Sequence, residues 1–228
     1  MQHRSLLSPQ QRVRLSKFLA LVLRHQPDQA GIKLDERGAV DVEELADALR
    51  DTPGWEFVRP QHLIEVASSC ERGRFQIDER DNTIRASYGH SYAQPVVYDP
   101  AEPPDKLYVG MVPADVEATR SSGLRPVGRQ YVHLSTTARL AHEVGSRHAD
   151  EPAVLVIDAA AAHKDGIEFY RATDEIWLAR EVPGQYIQEY QMPKAEPERY
   201  LADELDEADE QDEHEFGKGI REEDEDKP

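Results

Sequence analysis

The sequence predicts an α+β protein of two lobes followed by an acidic tail, on three observations. Residues 1–92 carry three amphipathic helical patterns and then a hairpin signal. A proline-rich stretch, 93–106, separates them from short strand patterns interleaved with two helices, which make a second lobe over 107–194. From residue 195 the chain turns acidic and low in complexity, and such a segment buries too little apolar surface to fold alone.

Each element has a local reason. Ser8-Pro9-Gln10-Gln11 starts a helix, with Ser8 as N-cap, Pro9 in the first position and Gln11 closing a capping box. Val13, Leu15, Phe18, Leu19, Val22 and Leu23 then recur at helical spacing until Pro27 forbids continuation. Residues 32–34, the turn Asp35-Glu36-Arg37-Gly38 and Ala39-Val40 read as strand, turn and strand. Asp41, with Glu44 three residues on, caps a second helix to about Arg50. Residues 61–70 form a third, with Leu63, Ile64 and Val66 as its apolar face. Arg74-Phe75-Gln76-Ile77 and Thr83-Ile84-Arg85-Ala86 flank a polar turn, a hairpin pattern. Three helices closed by a hairpin make a winged-helix lobe. Pro95, Pro100, Pro103 and Pro104 mark the linker. Beyond it, strands are expected at 107–109, 131–134, 153–157, 167–170 and 176–179, and helices at 113–121 and 136–146, in a lobe ending near Ile187.

Composition excludes several classes. No run of eighteen apolar residues suits a membrane span, and the N-terminus lacks a secretory apolar region. The single cysteine, Cys70, supports neither an internal disulfide nor a cysteine metal cluster. A cytoplasmic protein without membrane contact is expected, acting as a monomer. The net charge of −18 argues against a nucleic-acid partner until it is located. Residues 195–228 hold sixteen Asp/Glu against four Lys/Arg, leaving only −6 on the first 194 residues. The same acid-rich, lysine-poor balance also fits a halophile's solvated surface. Arginine outnumbers lysine 20 to 7, and arginine grips phosphate as a fork rather than as a point charge.

Three places carry ionisable groups in unusual settings. Arg24-His25 closes an otherwise apolar helix, where a simple C-terminal cap would also place a cation. Arg74 stands at the mouth of the hairpin, where an exposed wing charge is the plainer alternative. Arg129 precedes a strand on which His133, between Val132 and Leu134, faces the opposite side; a satisfied strand histidine is the alternative there. No zinc spacing, P-loop, GxGxxG or GxSxG is present, so no metal is expected. Arginine–histidine chemistry on a phosphorylated substrate remains.

At this point a family resemblance becomes visible. Ser16-Lys17-Phe18-Leu19-Ala20-Leu21-Val22-Leu23-Arg24-His25 resembles the SKFLSLVLRH signature of the KptA-type RNA 2′-phosphotransferases. In order follow Leu34-Asp35 with Gly38 (LDxxGW), Arg74-Phe75 (KKRF), and Ile84-Arg85-Ala86 with Gly89-His90-Ser91 (IRAxQGHS). Then come Tyr131-Val132-His133-Leu134-Ser135 (YVHLS), Val144-Gly145 with Arg147-His148 (VGxRHG), and Ile176-Trp177-Leu178 (VWL), so the likeness spans about residues 15–187. It implies an ADP-ribosyltransferase-like second lobe and a catalytic quartet falling on Arg24, His25, Arg74 and Arg129. It also implies NAD as co-substrate, held by Tyr108, Gly110, His133, Leu134, Ser135, Arg147 and Ile176. The partner it implies is an RNA with an internal 2′-phosphate, of the tRNA-splicing type, its phosphates met by Arg24, Arg74, Arg85, His90 and Arg129.

One stretch departs from the family. Where LYHGT is common, this chain reads Leu107-Tyr108-Val109-Gly110-Met111, so Val109 and Met111 replace a histidine and a threonine. Weakened NAD binding is the expected consequence. Two other functions stand beside the two-step transferase: a one-step ADP-ribosyltransferase acting on nucleic-acid terminal phosphates, and a non-catalytic winged-helix nucleic-acid binder.

Overall fold

A computed structural model describes residues 6–191 of the chain; the expected acidic tail lies outside the described residues. It is a mixed α+β fold, and most elements stand where local patterns put them. Helix α1, Pro9–Arg24, starts on the reciprocal capping box, Gln11 N donating to Ser8 Oγ at 3.2 Å and Ser8 N to Gln11 Oε1 at 3.0 Å. A short 3-10 helix, Pro27–Ala30, follows. Strand β1 (Ala39–Asp41) leads straight into α2 (Val42–Arg50), whose cap is Asp41 accepting from the N–H groups of Glu43 and Glu44. Helix α3 (Pro60–Ser68) and strands β2 (Phe75–Asp78) and β3 (Thr83–Ala86) complete the first half.

The strand expected at 32–34 is absent. Its apolar residues Ile32 and Leu34 are buried, but the backbone joins no sheet. Instead Asp35 folds its carboxylate over the turn, accepting from Arg37 N at 2.8 Å and Ala39 N at 2.7 Å. The side chain takes the bonds that a strand ladder would have used. The hairpin turn is built the same way, with Asp78 Oδ1 accepting from Arg80 N. β1, β3 and β2 form a three-stranded antiparallel sheet in that order. Leu15, Leu19, Leu23, Leu45, Leu49, Leu63 and Ile84 fill the core between it and the helices.

The second half is a six-stranded antiparallel sheet in the order β7-β8-β5-β4-β6-β9. Its strands are β4 (Lys106–Met111), β5 (Val132–Ser135), β6 (Ala153–Asp158), β7 (Phe169–Arg171), β8 (Ile176–Ala179) and β9 (Ile187–Tyr190). Helices α4 (Val116–Ser122), α5 (Ala138–Gly145) and α6 (Ala159–Lys164) pack on it. Two elements escape the sequence patterns. α6 is six residues, four alanines followed by His163 and Lys164, capped by Asp158 and with no amphipathic period to read. β9 extends the sheet past Ile187, adding an edge strand whose Glu189 and Gln188 leave little apolar alternation. Among the described residues no helix is long and apolar enough to cross a membrane.

Strand alternation gives this sheet two different faces. Leu107, Val132, Leu134, Leu155, Trp177 and Ala179 share a core with Leu124, Ala159 and Phe169. The opposite face carries Tyr131, Tyr170 and Leu178, which join Val96 and Tyr98 of the proline-rich stretch in a second apolar cluster. That stretch has neither helix nor named strand, yet Val96 and Tyr98 are buried and Tyr131 donates to Val96 O at 2.8 Å. It works as a packed layer between the halves.

Helix α5 also lies on this second face, close to β4. A Cβ on Gly110 would stand 2.0 Å from Ala141 O and 3.0 Å from Gly145 Cα. Gly110→Ala should therefore push α5 off the sheet and destabilise the fold by about 1–3 kcal/mol, as overpacking does. Thermal melts measure this; an unchanged Tm would show that α5 tolerates displacement.

Candidate active site

The two halves meet at the C-terminal end of α1. Arg24, its last residue, is only 5% exposed, with its guanidinium carbon 5.1 Å from the centre of the Tyr88 ring. Ser91 N donates to Arg24 O at 2.8 Å, so the 88–91 turn closes over the helix end. Gly89, at φ +90°, takes a backbone conformation that residues with a Cβ rarely adopt, and a Cβ there would lie 3.4 Å from Arg24 Cδ and Nε. The helix dipole favours a cation at this end.

His25 caps the same helix, its N–H donating to Leu21 O, and its ring lies between two partners. Nδ1 is 2.7 Å from Ser91 Oγ. On the other side Arg129, from the segment leading into β5, places Nη1 2.9 Å from Nε2 and 3.1 Å from Nδ1. The same Nη1 donates to Gly89 O at 3.0 Å. A guanidinium has no acceptor, so the ring nitrogen nearest it must be unprotonated. A neutral ring with its proton on Nδ1, donating to Ser91 Oγ, and with Nε2 toward the guanidinium fits these contacts.

Two more histidines surround this pair. His133 projects from β5 onto the face opposite Val132 and Leu134, edge-on to Tyr88 with ring centres 5.8 Å apart. Its Nε2 is buried without a hydrogen-bond partner. Burial, then the charges of Arg129 and Arg24, press its pKa down to about 4. His90 is buried, Tyr98 Oη lying 3.1 Å from its Nδ1. Burial, Arg24, His133, His25 and Arg85, in that order, lower its pKa to about 3. Guanidinium groups thus supply the positive charge of the site while His90 and His133 stay neutral. Such a set can hold a concentrated anion by forked bonds and still offer an imidazole to move a proton.

Residues 10–181 match the model of the RNA 2′-phosphotransferase, Tpt1/KptA family. The chain belongs to that family. It is 41% identical over 191 residues to the "Probable RNA 2′-phosphotransferase" of Hyperthermus butylicus, covering 80% of this chain and 81% of that one. A protein of the same name from Acetivibrio thermocellus is 37% identical over 174 residues, covering 76% of this chain and 94% of its own. The Streptomyces coelicolor one is 40% identical over 175 residues, 77% of this chain and 93% of its own.

Of the residues that the phosphotransferase resemblance singles out, Arg24, His25, His90, Arg129 and His133 converge. Arg74 is half-buried just before β2, its carbonyl accepting from Ser87 N at 2.8 Å, one residue from Tyr88. Arg85 turns its fork to Gln76 Oε1 across the hairpin, at 3.0 and 2.7 Å, while Gln76 Nε2 reaches Ala172 O of the second half at 2.9 Å. Ile176 packs against the aromatic layer. Ser135, buried, ends β5 opposite Tyr108, whose ring meets Tyr190 at 5.3 Å. Arg147 is half-buried just past α5. The Leu134 side chain is fully buried in the core, and Gly110 serves the α5 contact. Val109 and Met111 lie half-buried against the core that Leu107 enters, across β4 from the Gly110 face. Sequence reasoning missed Tyr88 and Gln130 as site residues. Ser91 had a signal in the Gly89-His90-Ser91 match.

The two depressed histidines make stability depend on pH. In the unfolded chain a histidine titrates near 6.5; in the fold these titrate at about 3 and about 4. Between those limits the unfolded chain binds more protons, so this stability is complete above about pH 6.5 and is lost as pH falls. Each histidine contributes a slope of about 1.4 kcal/mol per pH unit. Thermal melts of wild type and His90→Gln should diverge below about pH 6.5, the wild type falling more steeply. Parallel curves would contradict a neutral, buried His90.

Proposed function

We propose that this chain is an NAD-dependent RNA 2′-phosphotransferase. It removes an internal 2′-phosphate from RNA and releases nicotinamide and ADP-ribose 1″,2″-cyclic phosphate. The observation that carries the reading is the 2.9 Å approach of Arg129 to His25, which joins a residue before β5 to the end of α1 with Arg24 and His133 beside them. Family membership supports the phosphotransfer, and the buried, unpartnered Nε2 of His133 supports a polar co-substrate group docking at this junction. In this reading the first half is a winged helix, the second an ADP-ribosyltransferase-like lobe, and the protein works in the cytoplasm as a monomer.

The first step needs no nucleophile from the protein. An oxygen of the RNA 2′-phosphate bonds to C1″ of the nicotinamide ribose as the C1″–N bond breaks and neutral nicotinamide departs. NAD supplies the activated ribose carbon. In the second step the 2″-oxygen loses its proton and bonds to phosphorus, the P–O2′ bond breaks, and the RNA 2′-oxygen takes up a proton. Arg24, Arg74 and Arg129 are the forks for the phosphate oxygens, where charge builds up. A bound phosphate competes for the Arg129 fork and so releases Nε2 of His25, leaving it able to accept a proton.

Removing one fork aimed at a reacting phosphate costs roughly 3–4 kcal/mol, about 10²–10³ in rate. Arg129→Ala should therefore slow the second step and accumulate ADP-ribosylated 2′-phospho-RNA. Rapid single-turnover gels show that species as a slower-migrating RNA. Normal turnover without it would defeat the assignment, and an unmutated enzyme that leaves ADP-ribose on the RNA would favour the one-step transferase. With the phosphate countered by guanidinium groups, EDTA should leave turnover unchanged. Activity lost to EDTA and restored by Mg²⁺ would contradict that account.

A further inference from the structure

We propose that Gln130 is the positioning residue that holds Arg129 against His25. The inference rests on the reading of Arg24, His25 and Arg129 as the reactive set, and goes beyond it to the residue that assembles them. Arg129 is poorly held from its N-terminal side. Val127 is 91% exposed, and Gly128, at φ +65°, has nothing within 4 Å of where a Cβ would be. The fixing comes from the next residue along. Gln130 N donates to His90 O at 2.9 Å. Its side-chain Nε2 donates to Tyr92 O and Gln94 O, both at 2.8 Å, and its Oε1 accepts from Val96 N at 2.8 Å.

These four bonds reach one continuous segment, 90–96, which holds His90 and Ser91 beside the α1 end. Ser91 touches both Arg24 O and the His25 ring, and Gly89, just before it, accepts from Arg129 itself. Pro95 lies within the segment and has no N–H to give. The segment belongs to no named strand, so its polar groups need side-chain partners. A primary amide offers two donors and an acceptor in one plane, which suits two carbonyls and one N–H. One side chain therefore supplies three bonds that a strand would have supplied, and fixes the backbone from which Arg129 projects.

The account is tested with the full-length chain, 2′-phosphorylated RNA and NAD⁺ in single-turnover assays. Gln130→Ala should slow the second step by about 10²-fold, the cost of misplacing a positioned group by about 1 Å, with KM for NAD⁺ unchanged. In an Arg129→Ala background the same substitution should cost much less, because Gln130 acts mainly through Arg129. Gln130→Glu keeps the acceptor for Val96 N but turns a carboxylate oxygen on the carbonyls of Tyr92 and Gln94. It should show the same non-additive loss, and decides the matter if Gln130→Ala does not fold. Equal fractional losses in both backgrounds would make Gln130 merely structural and overturn the inference, as would wild-type turnover of the Gln130 variants. Normal turnover of Arg129→Ala alone would instead sink the site reading on which the inference stands.

Discussion

The arrangement depends on one contact, the guanidinium of Arg129 against the imidazole of His25. The partners stand 104 residues apart, one ending a helix of the first half and the other leading into a strand of the second, so neither half makes the contact alone. Bringing a permanent cation to a ring that can itself charge is unfavourable unless the ring stays neutral. A neutral ring that gives Nδ1–H to Ser91 Oγ and turns Nε2 toward the guanidinium meets that condition and fits the 2.7 and 2.9 Å contacts. The aromatic layer of Val96, Tyr98, Tyr131 and Tyr170 holds the halves close enough for the contact to exist.

The electrostatics follow from that constraint. Burial depresses His90 and His133, and after it come the charges of Arg24 on both, of Arg129 on His133 and of Arg85 on His90. A site with fixed positive charge and neutral imidazoles awaits a partner that brings negative charge. This sits on a chain whose net charge is −18, because much of the acid lies beyond residue 194. Net charge describes the whole molecule, whereas recognition is decided by a few groups at one junction.

Much of the fold was legible because its signals were local. The capping box at Ser8, the Asp41 cap and the short apolar run of β8 each act within a few residues, and each stands as expected. Legibility failed where a side chain replaced backbone bonding, as Asp35 does after 32–34, and where an element had no period, as in α6. The proline-rich stretch looked like a tether because its partners, Tyr131 and Tyr170, are distant in sequence. For the site, residue types and a family resemblance picked out Arg24, His25, Arg129 and His133. No local pattern could have revealed Gln130, whose partners are backbone atoms 34 to 40 residues away. The resemblance also puts Gly110 and Leu134 at the co-substrate, and in the fold Gly110 admits the close approach of α5 while the Leu134 side chain lies in the core.

The most direct test of the central contact is the protonation of the His25 ring, read by ¹⁵N NMR of imidazole-labelled protein with and without 2′-phosphorylated RNA. At neutral pH the unbound protein should show a neutral ring with its proton on Nδ1. Added RNA should draw Arg129 to the phosphate and shift the Nε2 signal toward the protonated form. A ring that already carries its proton on Nε2 in the unbound protein would contradict the Arg129 contact and the account built on it.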